Sequence, residues 1–166
     1  NHFIERDDCK IIFCIENNPL GTAGGIKNAE DKIQSNHFIV LNGDSFCSII
    51  YEDFINFHSK MKAFVTIGLV STNNNDDYGS VQLDIDKRTI VSFKEKINSN
   101  DMYINAGVYC MEKEFLKCIP ANSKVSLEYD IFPNLIGKDF FGYISQENMI
   151  DIGTPEKYKI ARKFLK

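Results

Sequence analysis

Short apolar runs alternate with amphipathic stretches along the first half of the chain, and this alternation restricts the possible folds more than any other feature of the sequence. The runs at residues 10–15, 37–41 and 63–70 are typical of buried strands. Between them, residues 22–33 and 52–61 carry apolar side chains at helical spacing. Strands that alternate with helices favour a sheet covered by helices, so this half predicts an α/β fold.

The second half of the chain has a different pattern. Residues 78–83 and 89–93 alternate apolar and polar side chains around a turn at 84–88, which predicts a hairpin with one face in water. Further strands are predicted over 102–111, 140–145 and 148–152, and helices over 112–119 and 127–135. A last helix begins at Pro155 with Thr154 as its cap. The whole order predicts a three-layer α/β sheet.

Length and composition limit what such a fold can do. The 166 residues suit one domain or one piece of a larger domain, and 43% apolar residues are enough for a core. With 19 basic and 23 acidic side chains the net charge is 19 − 23 = −4, which argues against a nucleic-acid binder. The sequence has neither a membrane-length apolar run nor a signal-peptide pattern. Its five cysteines lack C-x-x-C spacing, so we expect reduced thiols in a cytoplasmic protein.

Two segments place glycines or a carboxylate where predicted strands end. In Pro19-Leu-Gly-Thr-Ala-Gly-Gly25 the glycines would let backbone N–H groups approach an anion, although a strand-to-helix turn explains them equally well. Asn42-Gly43-Asp44 contains a common hairpin signal, but a helix and not a strand is predicted after it. Asp44 then lies where ligands bind in open α/β sheets and could hold a metal ion beside a phosphate.

Other polar positions have weaker signals. Asp151 follows a short apolar strand and precedes a helix, which fits either a cap or a second carboxylate that shares one Mg²⁺ with Asp44. The pair Glu95 and Lys96 alone predicts only a solvated surface. The small residues of Asn105-Ala-Gly107 interrupt a predicted strand, which indicates close approach of another backbone or a ligand. The three histidines, His2, His37 and His58, are expected to be structural or surface residues.

Taken in order, these segments resemble the sugar-1-phosphate nucleotidyltransferases. The matching segments span nearly the whole chain and are Pro19-Leu-Gly-Thr-Ala-Gly-Gly25, Leu41-Asn-Gly-Asp-Ser45, Tyr78-Gly-Ser-Val81, Phe93-Lys-Glu-Lys96, Tyr103-Ile-Asn-Ala-Gly-Val-Tyr109, Leu127-Glu-Tyr-Asp-Ile-Phe132 and Ile150-Asp-Ile-Gly-Thr-Pro155. The second and sixth are most similar to the D-glycero-D-manno-heptose 1-phosphate guanylyltransferase branch. The resemblance implies a Rossmann-like three-layer α/β/α fold with a mixed, mostly parallel sheet.

The resemblance also implies a reaction. In this family an oxygen of a sugar 1-phosphate attacks the α-phosphate of a nucleoside triphosphate, and pyrophosphate leaves. The implied product is a nucleotide sugar of the GDP-heptose or GDP-mannose type, made from GTP and used for lipopolysaccharide or capsule. The implied partners are the nucleoside triphosphate and the sugar 1-phosphate, with neither nucleic acid nor a membrane. A homo-oligomer is left open.

Roles for individual residues follow from the same resemblance. Asp44, Lys96 and Asp151 would be catalytic, with Asp44 and Asp151 as ligands of Mg²⁺ and Lys96 on the sugar phosphate. Glu95 would accept hydrogen bonds from sugar hydroxyls. The other implied site residues are Gly79, Asn105 and Gly107 in the sugar pocket and Leu20, Gly21, Thr22 and Gly43 at the nucleotide.

The sequence departs from the family at its start. Family members open with a strand and a Gly-Gly-x-Gly-Thr-Arg-Leu loop around the triphosphate, followed by a Pro-Lys-Pro stretch, and neither occurs in the 166 residues. We therefore expect residues 1–166 to be one nucleotidyltransferase domain that is truncated at its N-terminus, with the sugar-phosphate half of the site and without the pyrophosphate half. One alternative is a non-catalytic module that binds sugar phosphate or nucleotide. Another is a glycosyltransferase with Asp84-Ile-Asp86 as its metal motif.

Overall fold

A computed structural model describes residues 9–71, 79–95, 102–146 and 149–164. The strands are β1 (His37–Leu41), β2 (Ser45–Cys47), β3 (Val65–Ser71), β4 (Gly79–Asp84), β5 (Thr89–Glu95), β6 (Met102–Glu112), β7 (Phe140–Ser145) and β8 (Met149–Asp151). The α-helices are α1 (Gly21–Asn28), α2 (Tyr51–Met61) and α3 (Pro155–Phe164). Shorter helical turns occupy Glu30–Lys32, Lys113–Cys118, Leu127–Ile131 and Phe132–Leu135. The predicted hairpin, the capped last helix and most other predicted elements are confirmed.

Six strands form one mixed sheet in the order β1-β6-β3-β7-β5-β4. The strands β1, β3 and β4 all pair antiparallel with β6, and β7 pairs parallel with β3, so these four run in one direction. Because β5 and β6 run against them and lie between them, β3–β7 is the only parallel pair in the described sheet. The prediction of a mixed sheet is confirmed, with four of its six strands in the same direction.

Strand β6 has different neighbours along its two edges. One edge pairs with β3 over 103–105 and 109–111. The other edge pairs with β1 over 108–112 and with β4 over 102–104, which leaves residues 105–107 in a gap between these two strands. The hairpin of β4 and β5 also contacts β7 through Thr89 and Phe141. The ends of β1 and β4 therefore meet beside one short stretch of β6.

Helical segments cover both faces of the sheet. Tyr109 and Met111 of β6 belong to a core shared with the helical turns of 113–118 and 127–135. Val108 and Cys110, which alternate with them, pack in a second core with Phe54 of α2. Since successive strand residues point to opposite faces, the two cores lie on opposite sides of the sheet. The predicted three-layer arrangement is confirmed.

The first predicted strand is wrong. Residues 10–15 form no strand with any described part of the chain, and their apolar side chains are exposed, with Ile15 at 82%. A strand needs a neighbour that receives its backbone hydrogen bonds, and apolar composition does not provide one. The predicted helix of 127–135 is also different, with a π turn at Leu127–Ile131 and a 3-10 turn after it. Pro133 has no backbone donor and cannot continue a regular α-helix.

Four aromatic rings, those of Phe93, Tyr109, Phe132 and Phe140, pack together in the core on one face of the sheet. Phe132 is fully buried and lies 5.2 Å from Phe140, 5.5 Å from Phe93 and 5.6 Å from Tyr109 between ring centroids. Close ring contacts of this kind add to the free energy gained by burying apolar area. Phe132 therefore joins the helical turns to β5, β6 and β7.

We expect Phe132→Ala to lower the free energy of unfolding by about 3–5 kcal/mol, because it leaves a cavity that its neighbours cannot close. Denaturant unfolding measures this loss. Ile85→Ala is the control, since Ile85 lies in the turn of the hairpin and is half exposed, and it should change stability by about 0.5 kcal/mol or less. Equal losses in the two variants would contradict the packing described for Phe132.

His58 of α2 is buried at the end of the sheet away from the gap. Its Nδ1 lies 2.8 Å from Thr66 Oγ1 and its Nε2 lies 3.2 Å from Glu112 Oε1. Burial lowers the pKa of His58, the contact with Glu112 opposes this, and the ring of His37, 6.1 Å away, adds to the lowering. The structural role expected for His58 agrees with this position.

We expect the protein to lose stability as the pH falls below about 6.5, the pKa of histidine in an unfolded chain. Because the folded pKa of His58 is lower, the unfolded chain binds the proton first. The stability due to neutral His58 is therefore complete above that pH and decreases towards the folded pKa. Urea unfolding between about pH 5 and pH 8 measures the slope. His58→Gln should flatten it, whereas an unchanged slope would show that His58 is not its source.

Candidate functional site

Three of the residues predicted for the site, Gly79, Asn105 and Gly107, lie at the gap in the pairing of β6. Strand β1 ends at Leu41, opposite Val108, and the N–H of Asn42 then donates to the carbonyl oxygen of Gly107 at 2.8 Å. Across the gap, β4 begins at Gly79, one residue before the pair of Ser80 and Ile104. Asn105 and Gly107 therefore lie between the end of β1 and the start of β4.

Gly107 is needed where it stands. It has φ +69°, and a Cβ on it would lie 2.8 Å from Nδ2 of Asn42. Only glycine takes this backbone conformation without cost and leaves space for the Asn42 side chain. Asn105 Oδ1 accepts the N–H of Gly107 at 3.0 Å, which closes the local turn. The close approach predicted for 105–107 is confirmed, and the approaching group is Asn42.

The turn Asn42-Gly43-Asp44 does not make a hairpin with β1, although the prediction that a helix and not a strand follows it is wrong, because β2 comes before α2. The following strand, β2, pairs instead with β8, where Ser45 lies opposite Asp151, and the N–H of Ile152 donates to the carbonyl oxygen of Asp44 at 2.8 Å. The backbones of Asp44 and Asp151 are therefore neighbours, as the sequence predicts. Asp44 is exposed. The side chain of Asp151 lies outside the described part of the chain.

The exposed carboxylate of Asp44 is a suitable ligand for a hard cation that takes its other ligands from water or substrate. Among the described side chains, no three or more His, Cys, Asp or Glu residues form a metal cluster. Mg²⁺ commonly uses one or two carboxylates and takes its other oxygens from water and phosphate. Asp44 is solvent-exposed, and a Cβ on Gly43 would meet no atom within 4 Å, so there is room beside it for a phosphate.

The residues predicted for the sugar lie at the open end of the β4–β5 hairpin. Gly79 pairs with Glu95 across the two strands, next to the gap that holds Asn105. The side chain of Glu95 and the whole of Lys96 lie outside the described residues, so their roles stay predictions. The backbone nevertheless gathers Gly79, Glu95, Asn105 and Gly107 at one end of the sheet.

The glycine turn predicted for the nucleotide is held against a different part of the chain. Gly21 has φ +74°, and a Cβ on it would lie 2.6 Å from the carbonyl oxygen of Val125. That oxygen accepts the N–H of Ala23 at 3.0 Å, and the N–H of Val125 donates to Leu20 at 2.8 Å. The steric explanation for a glycine is therefore right at Gly21. The contacts of Leu20, Gly21, Thr22 and Gly43 with a nucleotide stay predictions.

A hydrogen-bonded network that the sequence analysis missed connects this turn to Asn105. Thr22 Oγ1 and Ser126 Oγ donate to Glu128 Oε2 at 3.0 and 2.8 Å. Tyr109 OH donates to Glu128 Oε1 at 3.3 Å and accepts Asn105 Nδ2 at 2.9 Å. A partial signal existed, because Asn105 and Tyr109 are an even number of residues apart and so share a face of β6.

Tyr109 keeps its proton in this network. Burial raises the pKa of Tyr109 well above its usual range, and the charge of Glu128 raises it further. Hydrogen bonds from the amides of Asn105 and Asn42 oppose this rise without cancelling it. The phenol is therefore a permanent donor to Glu128, and it joins groups from the end of β1, from β6 and from the turn at 127–131.

The Asp84 carboxylate of the alternative metal motif stabilises the turn of the hairpin. Asp84 Oδ1 accepts the N–H of Lys87 at 3.1 Å, and its other oxygen lies 3.4 Å from Lys87 Nζ. These contacts with Lys87 lower the pKa of Asp84. Asp84 ends β4 at the opposite end from Gly79, so the described structure gives no support to a glycosyltransferase site at Asp84-Ile-Asp86.

Comparison with known proteins agrees with this geometry. Residues 2–166 match the family model described as "Nucleotidyl transferase", and the chain belongs to that family. The resemblance predicted from the seven segments is thereby confirmed. Members of this family generally use a divalent metal ion.

Two relatives to which the chain is similar are guanylyltransferases that act on sugar 1-phosphates. The chain is 35% identical over 156 residues to the D-glycero-alpha-D-manno-heptose 1-phosphate guanylyltransferase of Aneurinibacillus thermoaerophilus, a match that covers 93% of this chain and 67% of the relative. It is 33% identical over 153 residues to the mannose-1-phosphate guanylyltransferase of Mycobacterium tuberculosis, covering 90% of this chain and 42% of the relative. The chain thus spans between two fifths and two thirds of these two relatives.

A solved structure is similar in fold as well as in sequence. HddC from Yersinia pseudotuberculosis superposes with a TM-score of 0.78 at 35% identity, over 91% of this chain and 65% of HddC. The same protein has been crystallised in complex with GMP-PN. These comparisons confirm the predicted nucleotidyltransferase fold. Among the described residues, no helix is both long and apolar enough to cross a membrane.

We expect Gly21→Ala to destabilise the protein by about 1–3 kcal/mol, because an alanine at a positive φ is strained and its methyl group would press on a backbone carbonyl. Thermal or denaturant unfolding measures the loss. Gly43→Ala is the matched control, since a Cβ there meets nothing, and it should shift stability by about 0.5 kcal/mol or less. A Gly21→Ala protein as stable as the control would contradict the close contact with Val125.

Proposed function

We propose that the protein is a sugar-1-phosphate guanylyltransferase that forms GDP-heptose or GDP-mannose and pyrophosphate from GTP and the matching sugar 1-phosphate. The observation that carries this proposal is the neighbouring position of Asp44 and Asp151 beside the gap in β6. Support for the guanylyl group and for these sugars comes from the names of the two relatives described above.

The reaction exchanges one phosphorus–oxygen bond for another. An oxygen of the sugar 1-phosphate forms a bond to the α-phosphorus, the bond from that phosphorus to the bridging oxygen breaks, and pyrophosphate leaves with the electron pair. No covalent bond to the protein is required, so the side chains act through position and charge. Lys96 would hold the sugar phosphate, and Glu95 and Asn105 would bind sugar hydroxyls between Gly79 and Gly107.

A divalent cation, which we propose is Mg²⁺, would be held by Asp44 and Asp151 and would offset negative charge on the α-phosphate. The exposure of Asp44 leaves it accessible to a phosphate-bound ion. Leu20, Gly21, Thr22 and Gly43 would lie on the nucleotide side of the same opening.

The proposal also includes a cytoplasmic location and a single nucleotidyltransferase domain. Cys9, Cys14, Cys110 and Cys118 form no disulfide within the described part of the chain, which favours a cytoplasmic location. Residues 1–166 would be part or all of one nucleotidyltransferase domain, whose oligomeric state stays open.

We expect Asp44→Asn in the complete protein to lower kcat for nucleotide-sugar formation by at least about a hundredfold, because electrostatic stabilisation of the transferring group is the main contribution in such reactions. Pyrophosphate release from GTP with heptose or mannose 1-phosphate measures it. Asp53→Asn is the control, since Asp53 is an exposed carboxylate on α2, and it should be near neutral.

The same assay separates the proposed function from its alternative. Turnover by the unmodified protein that disappears in Asp44→Asn and persists in Asp53→Asn supports a guanylyltransferase. Full activity in Asp44→Asn would contradict the metal assignment. Binding of GTP or sugar 1-phosphate without any pyrophosphate release would instead identify a non-catalytic binding module.

A further inference from the structure

The Glu128 carboxylate bridges the two sides of the candidate site. Its Oε2 accepts the hydroxyl of Thr22, the residue that follows Gly21 in the glycine turn. Its Oε1 accepts the hydroxyl of Tyr109, and the oxygen of that hydroxyl accepts the side-chain amide of Asn105. Three side-chain hydrogen bonds thus run without a break from the turn assigned to the nucleotide to the amide assigned to the sugar. No role for Glu128 follows from the proposed reaction itself.

The hydroxyl group of Thr22 both donates and accepts a hydrogen bond. The hydroxyl proton of Thr22 is directed to Glu128 Oε2 at 3.0 Å, while its oxygen accepts the N–H of Leu127 at 2.8 Å. A hydroxyl has one proton to donate, so Thr22 cannot donate to a ligand without releasing Glu128. Thr22 therefore fixes the glycine turn relative to the π turn that carries Glu128.

Glu128 itself is held by the start of that π turn. Ser126 Oγ donates to Glu128 Oε2 at 2.8 Å and accepts the N–H groups of Glu128 and Tyr129 at 3.2 and 3.3 Å. The N–H of Ser126 donates to Asp130 Oδ2 at 2.7 Å. The Ser126 hydroxyl therefore holds the Glu128 carboxylate beside Thr22.

The Asn105 end is oriented by the same connection. One Nδ2 hydrogen of Asn105 goes to Tyr109 OH, and Oδ1 accepts the N–H of Gly107 at 3.0 Å, so the amide cannot turn over without losing both bonds. Tyr109 is fully buried and packs 5.6 Å from Phe132. A shift of the Glu128 carboxylate would therefore act on Asn105 through the hydroxyl of the buried Tyr109 ring.

We propose that Glu128 is a positioning residue that couples the two halves of the site, so that binding of the nucleotide and binding of the sugar 1-phosphate favour each other. The inference rests on the proposed function. Both ligands would bind to the same arrangement of Thr22, Glu128, Tyr109 and Asn105, so a ligand at either end stabilises the arrangement that the other ligand requires. Linkage makes the effect equal in both directions.

Calorimetric titration of the complete protein tests this coupling. The probes are mannose 1-phosphate or heptose 1-phosphate, titrated with and without saturating GMP-PN and Mg²⁺. The ratio of the two dissociation constants is the coupling factor, and we expect about a tenfold value for the unmodified protein. In Glu128→Gln, which keeps the size of the side chain but loses its charge and one acceptor, the factor should fall to about one, because an amide cannot accept from Thr22, Ser126 and Tyr109 together.

Two further variants separate coupling from a loss of structure. Tyr109→Phe removes only the hydroxyl that relays to Asn105, and it should also reduce the coupling factor to about one. Combined with Glu128→Gln, it should cause no further loss, because both act on one connection. Asp130→Asn is the matched control, since it removes a negative charge from the same turn while its amide oxygen can still accept the N–H of Ser126, and it should keep the tenfold factor.

The outcomes distinguish this inference from the function on which it rests. Loss of coupling in Glu128→Gln and Tyr109→Phe, with coupling kept in Asp130→Asn, supports it. Coupling that survives in a folded Tyr109→Phe protein overturns it, even where Glu128→Gln fails to fold. Unmodified protein that binds both ligands independently also overturns it while leaving the proposed function intact. Unmodified protein that binds neither ligand overturns both.

Discussion

Strand β6 pairs with β3 along one edge, while its other edge is divided between β1 and β4. The backbone of a sheet is normally satisfied by continuous pairing, so a break in the ladder leaves groups that a loop or a ligand must meet. In this chain the loop after β1 meets one of them, through Asn42 and Gly107. The turn that carries Asp44 and the start of β4 are positioned by the same break, and the candidate site is located there for that reason.

Stability and recognition depend on different ends of β6. At one end, Glu112 pairs opposite His37 and contacts buried His58. Towards the other end, Asn105 belongs to the network around Glu128, which it reaches through Tyr109. Glu112 lies seven positions after Asn105 along the strand, a span of roughly 20 Å. Protonation of His58 therefore acts on the fold from a distance and has no direct contact with the groups proposed to bind the substrates.

Local pattern was enough to predict most elements and the meeting of Asp44 with Asp151, because strand ends follow from periodicity and turn residues. It was not enough for residues 10–15, where an apolar run needs a neighbouring strand that composition cannot reveal. Nor could it give the network of Glu128, since Thr22 and Glu128 are 106 residues apart and meet only in the folded chain. The Leu127–Phe132 segment matches a family motif, but the residues that donate hydrogen bonds to its Glu128 carboxylate, Thr22 and Tyr109, can be identified only from the folded chain.

The empty space beside Gly43 has a consequence for how the sequence can change over generations. A methyl group at Gly43 touches nothing, and its backbone is not among those with a positive φ, so folding places no demand on this residue. At Gly107, by contrast, the φ of +69° and the close approach of the Asn42 side chain both disfavour any other residue. Selection for the fold alone would let Gly43 drift to alanine or serine in descendant sequences. A glycine that is kept at this position in descendant sequences would therefore indicate that a bound ligand, and not the fold, requires the space.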